Sequence, residues 1–561
     1  MRIDTITAQL IKSSLYYASE EMGIALRNSS YSPNIKERMD HSAALFDSEG
    51  RLLAQAEHIP VHLGSLPWGL NNIVQYCDRN AIELEEGSMI VANNPYIAGT
   101  HLNDVTVVKP IYFQGKLIGY AANKAHHADV GGKVPGSISI DARSLYEEGL
   151  IMNPTYLMRK GKLLNETISF FVSNSRTPIE RTGDLKAQVA ANVTGSRRVL
   201  EVVKKYGLRA FQEAAAESFE SSKRVIVLKF SRLKRGSFSA LDYLEGPKGE
   251  NIKLKVRITV KSRSMEFDYS GTDRELSNPL NTVFGVTLSG VHYVLRTLMG
   301  DDIPANYGTF SSLKVSIPEG TLLNPTFPHP VAAGNTETSQ RNADLLYRAF
   351  AKALPSKVPA AAGGSMNNVM FGGGHNKSTW AYYETIGVGL GGKQGQDGID
   401  GIQANMTNTM NTPIEDIERT LPMRITKYEL RKDSSGAGEF RGGSGIVREF
   451  EMRGDSPVTF TIVSERFLNS PWGLKGGLPG AKTRAFVIRR GSRSSDKSVR
   501  RIELPGKATV VLNPGDKFEI NTAGGGGYGR PSKRNLSQIA NDFKNGLLSK
   551  QYVADCYQIH I

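Results

Sequence analysis

The chain has 561 residues, more than one hydrophobic core usually supports, so we expect roughly two to four closely packed domains. Its 39% hydrophobic and 22% charged residues, with a mean hydropathy of -0.31, are typical of a globular protein. No apolar run approaches the roughly 18 residues that cross a bilayer, and the N-terminal stretch lacks the apolar core of a signal peptide. These features predict a cytoplasmic protein with no membrane partner.

The cysteine content limits the kind of metal site that the chain can build. Cys77 and Cys556 are too few for a disulfide framework or a thiolate zinc site. Any metal must therefore be held by histidine and carboxylate side chains.

The net charge of +14 raises the question of nucleic-acid binding, because lysine and arginine can neutralise phosphates. Much of the excess lies in KRVIVLKFSRLKRGS and RRGSRSSDKSVRR, and neither stretch interleaves aromatic residues with base-reading residues. We therefore expect a solvated basic surface and no nucleic-acid partner. A docking face for an acidic protein or an anionic substrate is the alternative.

The first 130 residues predict a helix followed by two hairpins. An amphipathic helix is expected from about Asp4 to Asn28. Four apolar residues recur along it near helical spacing: Ile6, Leu10, Tyr17 and Ile24. HSAALFDSEGRLLAQ then predicts one hairpin, with Asp40 at its entrance, and VTVVKPIYF with KLIGYAANKA predicts a second around Gln114 and Gly115.

The rest of the chain alternates between helical and strand-rich regions. Residues 186 to about 235 have a helical pattern, NIKLKVRITVKSRSMEFDYSG alternates like paired strands, and NADLLYRAFAKAL returns to helix. Short strands and glycine-rich turns follow Tyr428, and a helical tail begins near Asn535. These patterns predict a multidomain α+β fold with a β-rich C-terminal region. The expected regions are 1–185, 186–345, 346–531 and 532–561.

The stretch KAHHADVGG places two histidines and an aspartate at the end of a predicted strand. If the second hairpin turns as predicted, Asp104 lies almost opposite Ala125, and a one-residue change in the loop pairs it with His126. Such neighbours lie about 5 Å apart at their Cβ atoms and can share an ion. His101, three residues before Asp104, can fold back into the same cluster.

Two imidazoles with one or two carboxylates leave a coordination position open, as catalytic metal sites do. These donors suit zinc, manganese or iron(II). The alternative is that His126 and His127 lie in a polar loop before Gly131 and Gly132.

Seven longer motifs, spread from the first helix to about Pro531, resemble those of the hydantoinase B family. They are RMDHSAALFD, NNPYIAGTHLNDVTVVKP, NKAHHADVGG, AAGNTETSQRNAD, DSSGAGEFRGGSGIVREF, SERFLNSPWGLKGGLPG and LNPGDKFEINTAGGGGYGRP. The family includes N-methylhydantoinase beta subunits, the matching half of ATP-dependent 5-oxoprolinases, and alpha-type subunits of acetone and related ketone carboxylases. Its members share these motifs while acting on different carbonyl compounds, so the resemblance does not choose a substrate.

The resemblance implies a divalent metal, most readily zinc or manganese, held by four side chains. The matching positions are Asp40, His101, Asp104 and His126. His41 follows Asp40 where the family more usually has an aromatic or apolar residue, so His41 could join this site. His127 and Asp129 then become candidates for orienting ligands or handling protons.

Three further stretches have a functional and a structural interpretation. FDYSGTD resembles the phosphate turn of actin-like ATPases, but an ordinary tight turn has the same letters. TAGGGGYG could offer N–H groups to an anion or could permit close packing. AGNTETSQR supplies polar side chains that could bind substrate or cap the next helix: Asn335, Glu337, Gln340 and Arg341.

No GxxxxGK[ST] phosphate loop occurs in the sequence. In the resembled family, ATP is bound by a separate actin-like subunit or domain of the hydantoinase A type, which phosphorylates the substrate carbonyl. The resemblance therefore implies the hydrolytic subunit of an ATP-dependent hetero-oligomer that opens a cyclic amide. Two alternatives stay open: an alpha-type subunit of a ketone carboxylase, and a non-catalytic scaffold with a structural metal.

Overall fold

The structure is a computed structural model and describes residues 3–300, 303–375, 378–490 and 499–560. Part of the Ser- and Arg-rich connection, residues 491–498, lies outside the described residues. Within these ranges, no helix is both long and apolar enough to cross a membrane. The chain combines helices with several sheets, which confirms the predicted α+β class.

An antiparallel sheet forms the centre of the N-terminal part. Its strands are β1 (His41–Asp47), β2 (Leu52–Ala56), β3 (Met89–Ala92), β4 (Asp104–Phe113), β5 (Lys116–His126), β6 (Thr155–Arg159) and β7 (Lys162–Leu163). Their order is β2-β1-β5-β4-β3-β6-β7, so the two predicted hairpins lie side by side. The central strands are buried almost throughout because helices cover both faces of the sheet.

The helices around this sheet are α1 (Thr5–Ser29), α2 (Pro33–Lys36), α3 (His62–Arg79), α4 (Pro95–Ala98), α5 (Asn165–Val172), α6 (Pro178–Tyr206) and α7 (Leu208–Ser231). One face packs on α1, α6 and α7, and the other packs on α3. The helical region predicted from residue 186 begins earlier, at Pro178, and divides at Gly207, whose φ of 89° is costly for other residues.

Helix α1 buries a different face from the predicted one. The four residues that suggested its apolar face are 49% to 74% exposed: Ile6, Leu10, Tyr17 and Ile24. The buried face is instead made of Ala8, Ile11, Leu15, Ala18, Met22 and Leu26. Both faces of α1 carry apolar residues, and the one with alanines at its contacts packs against the sheet and α6.

The middle of the chain adds a second sheet and a helical layer. The strands are β8 (Gly236–Glu245), β9 (Asn251–Val260), β10 (Met265–Asp268) and β11 (Leu313–Ser316), in the order β11-β10-β9-β8. The helices are α8 (Phe284–Met299), α9 (Tyr307–Phe310) and α10 (Ser339–Phe350). At the end of β10, Asp268 accepts the N–H of Ser270 (2.9 Å) and Thr272 donates its hydroxyl to Lys255 (3.1 Å), so FDYSGTD forms a tight turn bonded within the protein.

The C-terminal part contains two more sheets and a short helical tail. One sheet has the order β13-β12-β16-β19, from β12 (Asn368–His375), β13 (Ser378–Thr385), β16 (Val458–Val463) and β19 (Lys507–Leu512). The other has the order β14-β15-β20-β17-β18, from β14 (Met423–Leu430), β15 (Ile446–Met452), β17 (Arg484–Arg490), β18 (Val499–Leu504) and β20 (Lys517–Asn521). The remaining helices are α11 (Ile414–Thr420), α12 (Leu536–Lys544) and α13 (Lys550–Tyr557), so the predicted tail is helical.

Glycine-rich segments between these strands pack backbone against backbone. A Cβ atom on Gly443 would lie 1.9 Å from the carbonyl oxygen of Ile399, and one on Gly525 would lie 1.9 Å from that of Leu390. The N–H groups of the glycines in TAGGGGYG are bonded inside the protein, for example from Gly525 to the Gly443 carbonyl (2.9 Å). Close packing, rather than anion binding, therefore accounts for these glycines.

The first three predicted regions share one large apolar cluster. That cluster contains residues from Ile59 to Val463. The boundaries expected at residues 185 and 345 fall inside α6 and α10. The N-terminal sheet, the middle helices and β12 and β13 therefore meet around a common interior, where the candidate site lies.

Candidate metal centre

Asp104 and His126 face each other across β4 and β5. The turn at Gln114 and Gly115 would pair Asp104 with Ala125, but a bulge beside Ile111 shifts the register by one residue. Asp104 consequently lies opposite His126, which is the pairing expected from a one-residue change. Their side chains meet, with Asp104 Oδ1 3.2 Å from His126 Nδ1.

His101 completes a buried group of three donors. The backbone turns so that the Asp104 N–H donates to the His101 carbonyl (3.1 Å), which folds the imidazole back over the hairpin. His101 Nε2 lies 3.1 Å from His126 Nδ1 and 3.3 Å from Asp104 Oδ1. All three side chains are at least 97% buried. Among the described residues, this is the only group of three or more potential ligands whose donor atoms lie within 4.8 Å of one another.

A hydrogen bond on the far side of the His101 ring and the spacing of the three donor atoms both suit a bound metal. His101 Nδ1 lies 3.2 Å from the carbonyl oxygen of Ala332, and donation there leaves the lone pair on Nε2 facing the group. Donor atoms bound about 2.0–2.2 Å from a tetrahedral ion would lie about 3.3–3.6 Å apart, close to the observed spacing. The residues present therefore fit a divalent ion.

The charge state of the group also suits a metal. Burial opposes ionisation of Asp104, but the nearby histidines outweigh it and hold the pKa of this carboxyl well below its usual range. Burial lowers the pKa of His126. Cation binding requires an ionised carboxylate and a neutral imidazole, and the shifts at Asp104 and His126 favour these two forms.

Asp40 lines the same cavity from the end of the loop before β1. Its backbone carbonyl accepts the N–H of His126 (3.0 Å), so the two residues are joined through the backbone. Burial raises the pKa of Asp40. Its carboxylate is not one of the three donors within 4.8 Å of one another, so Asp40 lies beside the group rather than in it.

His62, which sequence reasoning missed, contacts the group from the start of α3. Its Nε2 lies 3.4 Å from Asp104 Oδ2, and its Nδ1 lies 3.0 Å from Ser42 Oγ. The contact depends on how α3 packs against the sheet. No short-range spacing in the sequence indicates it.

The structure does not bring His127 or Asp129 to the cavity. Successive side chains of a strand point to opposite faces, so His127 points away from His126 and its Nε2 lies 3.0 Å from Gln188 Oε1 on α6. Asp129 pairs with Arg176 (2.9 Å) and accepts the N–H of Gly136 (3.2 Å), which fixes the loop after β5. Their surroundings are those of structural residues, and burial lowers the pKa of His127 to about 4.

His41 does not join His101, Asp104 and His126 either. Its ring meets the ring of His58 edge-on at 4.8 Å, and neither of its ring nitrogens has a hydrogen-bond partner. Strand alternation again explains the outcome, because Asp40 and His41 are adjacent and face opposite ways.

The C-terminal part covers the group with an aromatic ring. Tyr383 on β13 stacks on His126, with ring centroids 4.7 Å apart and an angle of 17° between the planes. The guanidinium of Arg38 lies 4.9 Å from the Tyr383 ring centroid and donates to the Tyr383 carbonyl (2.9 Å). The Tyr383 hydroxyl donates to Asn368 (2.8 Å). This stack fixes the plane of the His126 imidazole.

Of the four residues predicted to bind substrate, only Asn335 lines the cavity. Glu337 accepts from Asn368 Nδ2 (2.7 Å), and burial raises its pKa to about 8. Gln340 donates to the Ala404 carbonyl (2.8 Å), and Arg341 pairs with Glu465 (3.1 Å). These three side chains hold the helical layer to the C-terminal part.

The cavity itself is small, about 20 Å³, which is room for a water molecule. Ile59, Val61 and His62 form one of its walls, and a cavity of about 570 Å³ lies beyond Glu57 and His58 of the same segment. A ring-shaped ligand therefore needs the smaller cavity to open.

The sequence matches the Hydantoinase B/oxoprolinase family over residues 4–531, and the chain belongs to this family. It is 38% identical over 560 residues to 5-oxoprolinase of Saccharomyces cerevisiae, with 94% of this chain and 42% of that protein covered. The chain thus spans about two fifths of that relative's length.

Two solved structures are similar along the whole chain. ATP-dependent caprolactamase from Pseudomonas jessenii has a TM-score of 0.90 at 26% identity, covering 100% of this chain and 97% of that one. An acetone carboxylase in its nucleotide-free structure has a TM-score of 0.91 at 17% identity, covering 99% and 79%. The second likeness concerns the fold alone.

Proposed function

We propose that this chain is the metal-dependent hydrolytic subunit of an ATP-dependent enzyme that opens a cyclic amide. The observation that carries the proposal is the buried convergence of His101, Asp104 and His126 on one point. A 5-oxoprolinase and a caprolactamase, both named for cyclic amides, are among the proteins similar to this chain.

A divalent ion held by these three side chains, zinc or manganese by donor type, would activate water and polarise a carbonyl oxygen. His62 Nε2 contacts Oδ2 of Asp104. The other carboxylate oxygen, Oδ1, is directed at His101 and His126. Asp40 is the further candidate ligand. We propose that Asp40 or His62 accepts the proton of the attacking water, because both line the cavity. His127 and Asp129 do not line it.

The cavity favours a catalytic over a purely structural ion. Structural sites have a closed shell of ligands, whereas the three donors here adjoin a space that can hold water. A scaffold subunit would not need that space.

Activation by ATP is assigned to a partner. The sequence has no phosphate-binding loop, and the glycine-rich stretch that could have replaced one is bonded internally. An actin-like subunit of the hydantoinase A type would phosphorylate the substrate carbonyl before hydrolysis here, in a cytoplasmic hetero-oligomer. This chain covers 42% of the yeast 5-oxoprolinase, so the rest of that longer chain is long enough to contain such an activating half.

The test is a turnover screen of the chain purified with its hydantoinase A-type partner. The substrates are 5-oxoproline, hydantoin and larger lactams with ATP, and acetone with bicarbonate in a separate arm. We expect a ring-opened acid formed in step with ATP hydrolysis. Carboxylation of acetone without opening of any cyclic amide would instead assign the chain to the ketone carboxylases.

A further inference from the structure

A single π-helical turn presents two side chains to the candidate centre. It covers Gly334–Thr338, directly before α10. Turns of this kind are rare, hold an extra residue and often occur at functional sites. A Cβ atom on Gly334 would lie 1.8 Å from the carbonyl oxygen of Asn281, so glycine is needed for this close approach. The turn brings Asn335 and Thr336 to the cavity.

The two side chains differ in how their polar atoms are bonded. Thr336 donates its hydroxyl to the Ala333 carbonyl (3.1 Å), so its polar group is already used. Asn335 is 6% exposed, and its side-chain carbonyl oxygen Oδ1 has no hydrogen-bond partner. A buried acceptor without a partner destabilises the protein unless a ligand or water supplies the donor.

The wall around Asn335 leaves few donors that could serve it. Ile59, Val61 and Met366 line the same cavity with apolar side chains. His101 Nε2 and His126 Nδ1 are directed at one another and at Asp104, and His126 Nε2 has no hydrogen-bond partner. No hydrogen bond among the described residues reaches Asn335 Oδ1, so a water or a substrate that occupies the cavity can supply the donor.

We propose that Asn335 positions the substrate by accepting a hydrogen bond from the ring N–H of a cyclic amide. The inference rests on the proposed hydrolytic function and names the group that is recognised. An unmethylated lactam or hydantoin carries an N–H next to its reactive carbonyl. Phosphorylation of the carbonyl oxygen gives an imidate that keeps this N–H while its nitrogen is protonated, and that cation is the form most readily attacked by water. A ketone has no such donor, and an N-methylated amide has lost it.

The size of the effect follows from the cost of an unpaired buried acceptor. A substrate without the N–H leaves Oδ1 unpaired in the occupied site, which corresponds to about a 10- to 100-fold loss in kcat/KM. Polar sites built around a substrate N–H or O–H discriminate strongly against analogues that lack it.

The experiment compares each substrate with its N-methyl derivative in the complex of this chain with its hydantoinase A-type partner. The pairs are 5-oxoproline with N-methyl-5-oxoproline, and 2-piperidone with N-methyl-2-piperidone. The wild type should prefer the N–H form by about 10- to 100-fold. Asn335→Leu should lose most of that preference by slowing only the N–H substrate, and Asn335→Asp, which keeps an acceptor, should retain it.

Thr336→Val is the matched control, because it removes a hydroxyl that is bonded within the turn. It should keep the preference of the wild type. Metal content and melting temperature are measured for each variant, and Asn335→Ala, which also removes the acceptor, replaces the leucine variant if that variant is poorly folded. An unchanged preference in the folded leucine or alanine variant, or a lost preference in a folded Asn335→Asp, overturns the inference. A wild type that opens no cyclic amide refutes the proposed function instead, so the two failures are distinct.

Discussion

Asp104 lies directly opposite His126 in the ladder of β4 and β5, with 3.2 Å between Oδ1 and Nδ1. One bulge beside Ile111 sets this register. A one-residue shift of this register would place a neighbour of His126 opposite Asp104. The His126 imidazole would then point to the other face of the sheet, because side chains alternate along a strand. The candidate metal centre therefore depends on the geometry of one hairpin.

Metal content tests this geometry. We expect the purified chain to hold about one divalent ion, and His101→Ala or His126→Ala to remove most of it, since two donors bind far more weakly than three. The control is His127→Asn. It should keep the ion and lose roughly 1–3 kcal/mol of stability, because Gln188 loses a buried partner.

Mass spectrometry of the metal and thermal unfolding supply both readouts. Wild-type amounts of ion in both alanine variants would exclude these histidines as ligands. Loss of the ion in His127→Asn would mean that His127 also contributes to the metal site.

The stacked ring of Tyr383 should control metal affinity. Tyr383→Leu removes the ring against His126 and should weaken binding about 10- to 100-fold, as is usual when a residue that orients a ligand is lost. Tyr383→Phe keeps the ring and should stay close to the wild type. Chelator competition gives the affinities, and the absorption spectrum of the cobalt-loaded protein reports the ligand geometry. Equal affinities and spectra for the leucine variant and the wild type would rule out this role.

Glu148 should make stability depend on pH. It accepts the N–H groups of Val331 and Ala332, and burial raises its pKa from 4.5 to about 8. The folded chain then binds more protons than the unfolded chain between these values, so the contribution of Glu148 to stability falls as pH rises. The slope is at most about 1.4 kcal/mol per pH unit for one proton.

Glu148→Gln removes this titration. The melting temperature of the variant minus that of the wild type should therefore become more positive from pH 5 to pH 8. A difference that stays constant over this range would show that Glu148 does not change its charge there.

The isolated chain should not turn over ATP. Its sequence lacks a phosphate-binding loop, and FDYSGTD forms a turn bonded within the protein. Phosphate release is measured with and without 5-oxoproline, and a chain with Asp268→Ala in the FDYSGTD turn, prepared in parallel, controls for contaminating ATPases. Robust substrate-dependent release by the wild type, absent from that variant, would refute the division of labour between two subunits.

The hairpin part of the site could be predicted because it depends on local rules. A tight turn and strand pairing bring Asp104 to His126, and a three-residue loop returns His101 to them. Strand alternation was also available from the sequence, and it separates His127 from His126.

The rest of the site depends on packing between distant segments. Tyr383 reaches His126 from more than 250 residues away along the chain, and α3 brings His62 across the sheet. A polar stretch before a helix does not reveal which side chains face a cavity and which enter buried networks. Asn335 and Arg341 differ in this respect although both belong to the same motif.

The central claim is that the centre of His101, Asp104 and His126 performs the hydrolysis that follows activation by the partner. The most direct measurement follows ADP formation and ring-opened product together in the reconstituted complex, for the wild type and His126→Ala. We expect the variant still to form at least one ADP per complex, because the partner still phosphorylates the amide. It should lose product, and the phosphate released with it, about 100-fold or more, because metal-assisted attack is lost. Product formation at the wild-type rate by a variant that contains no metal would contradict the central claim.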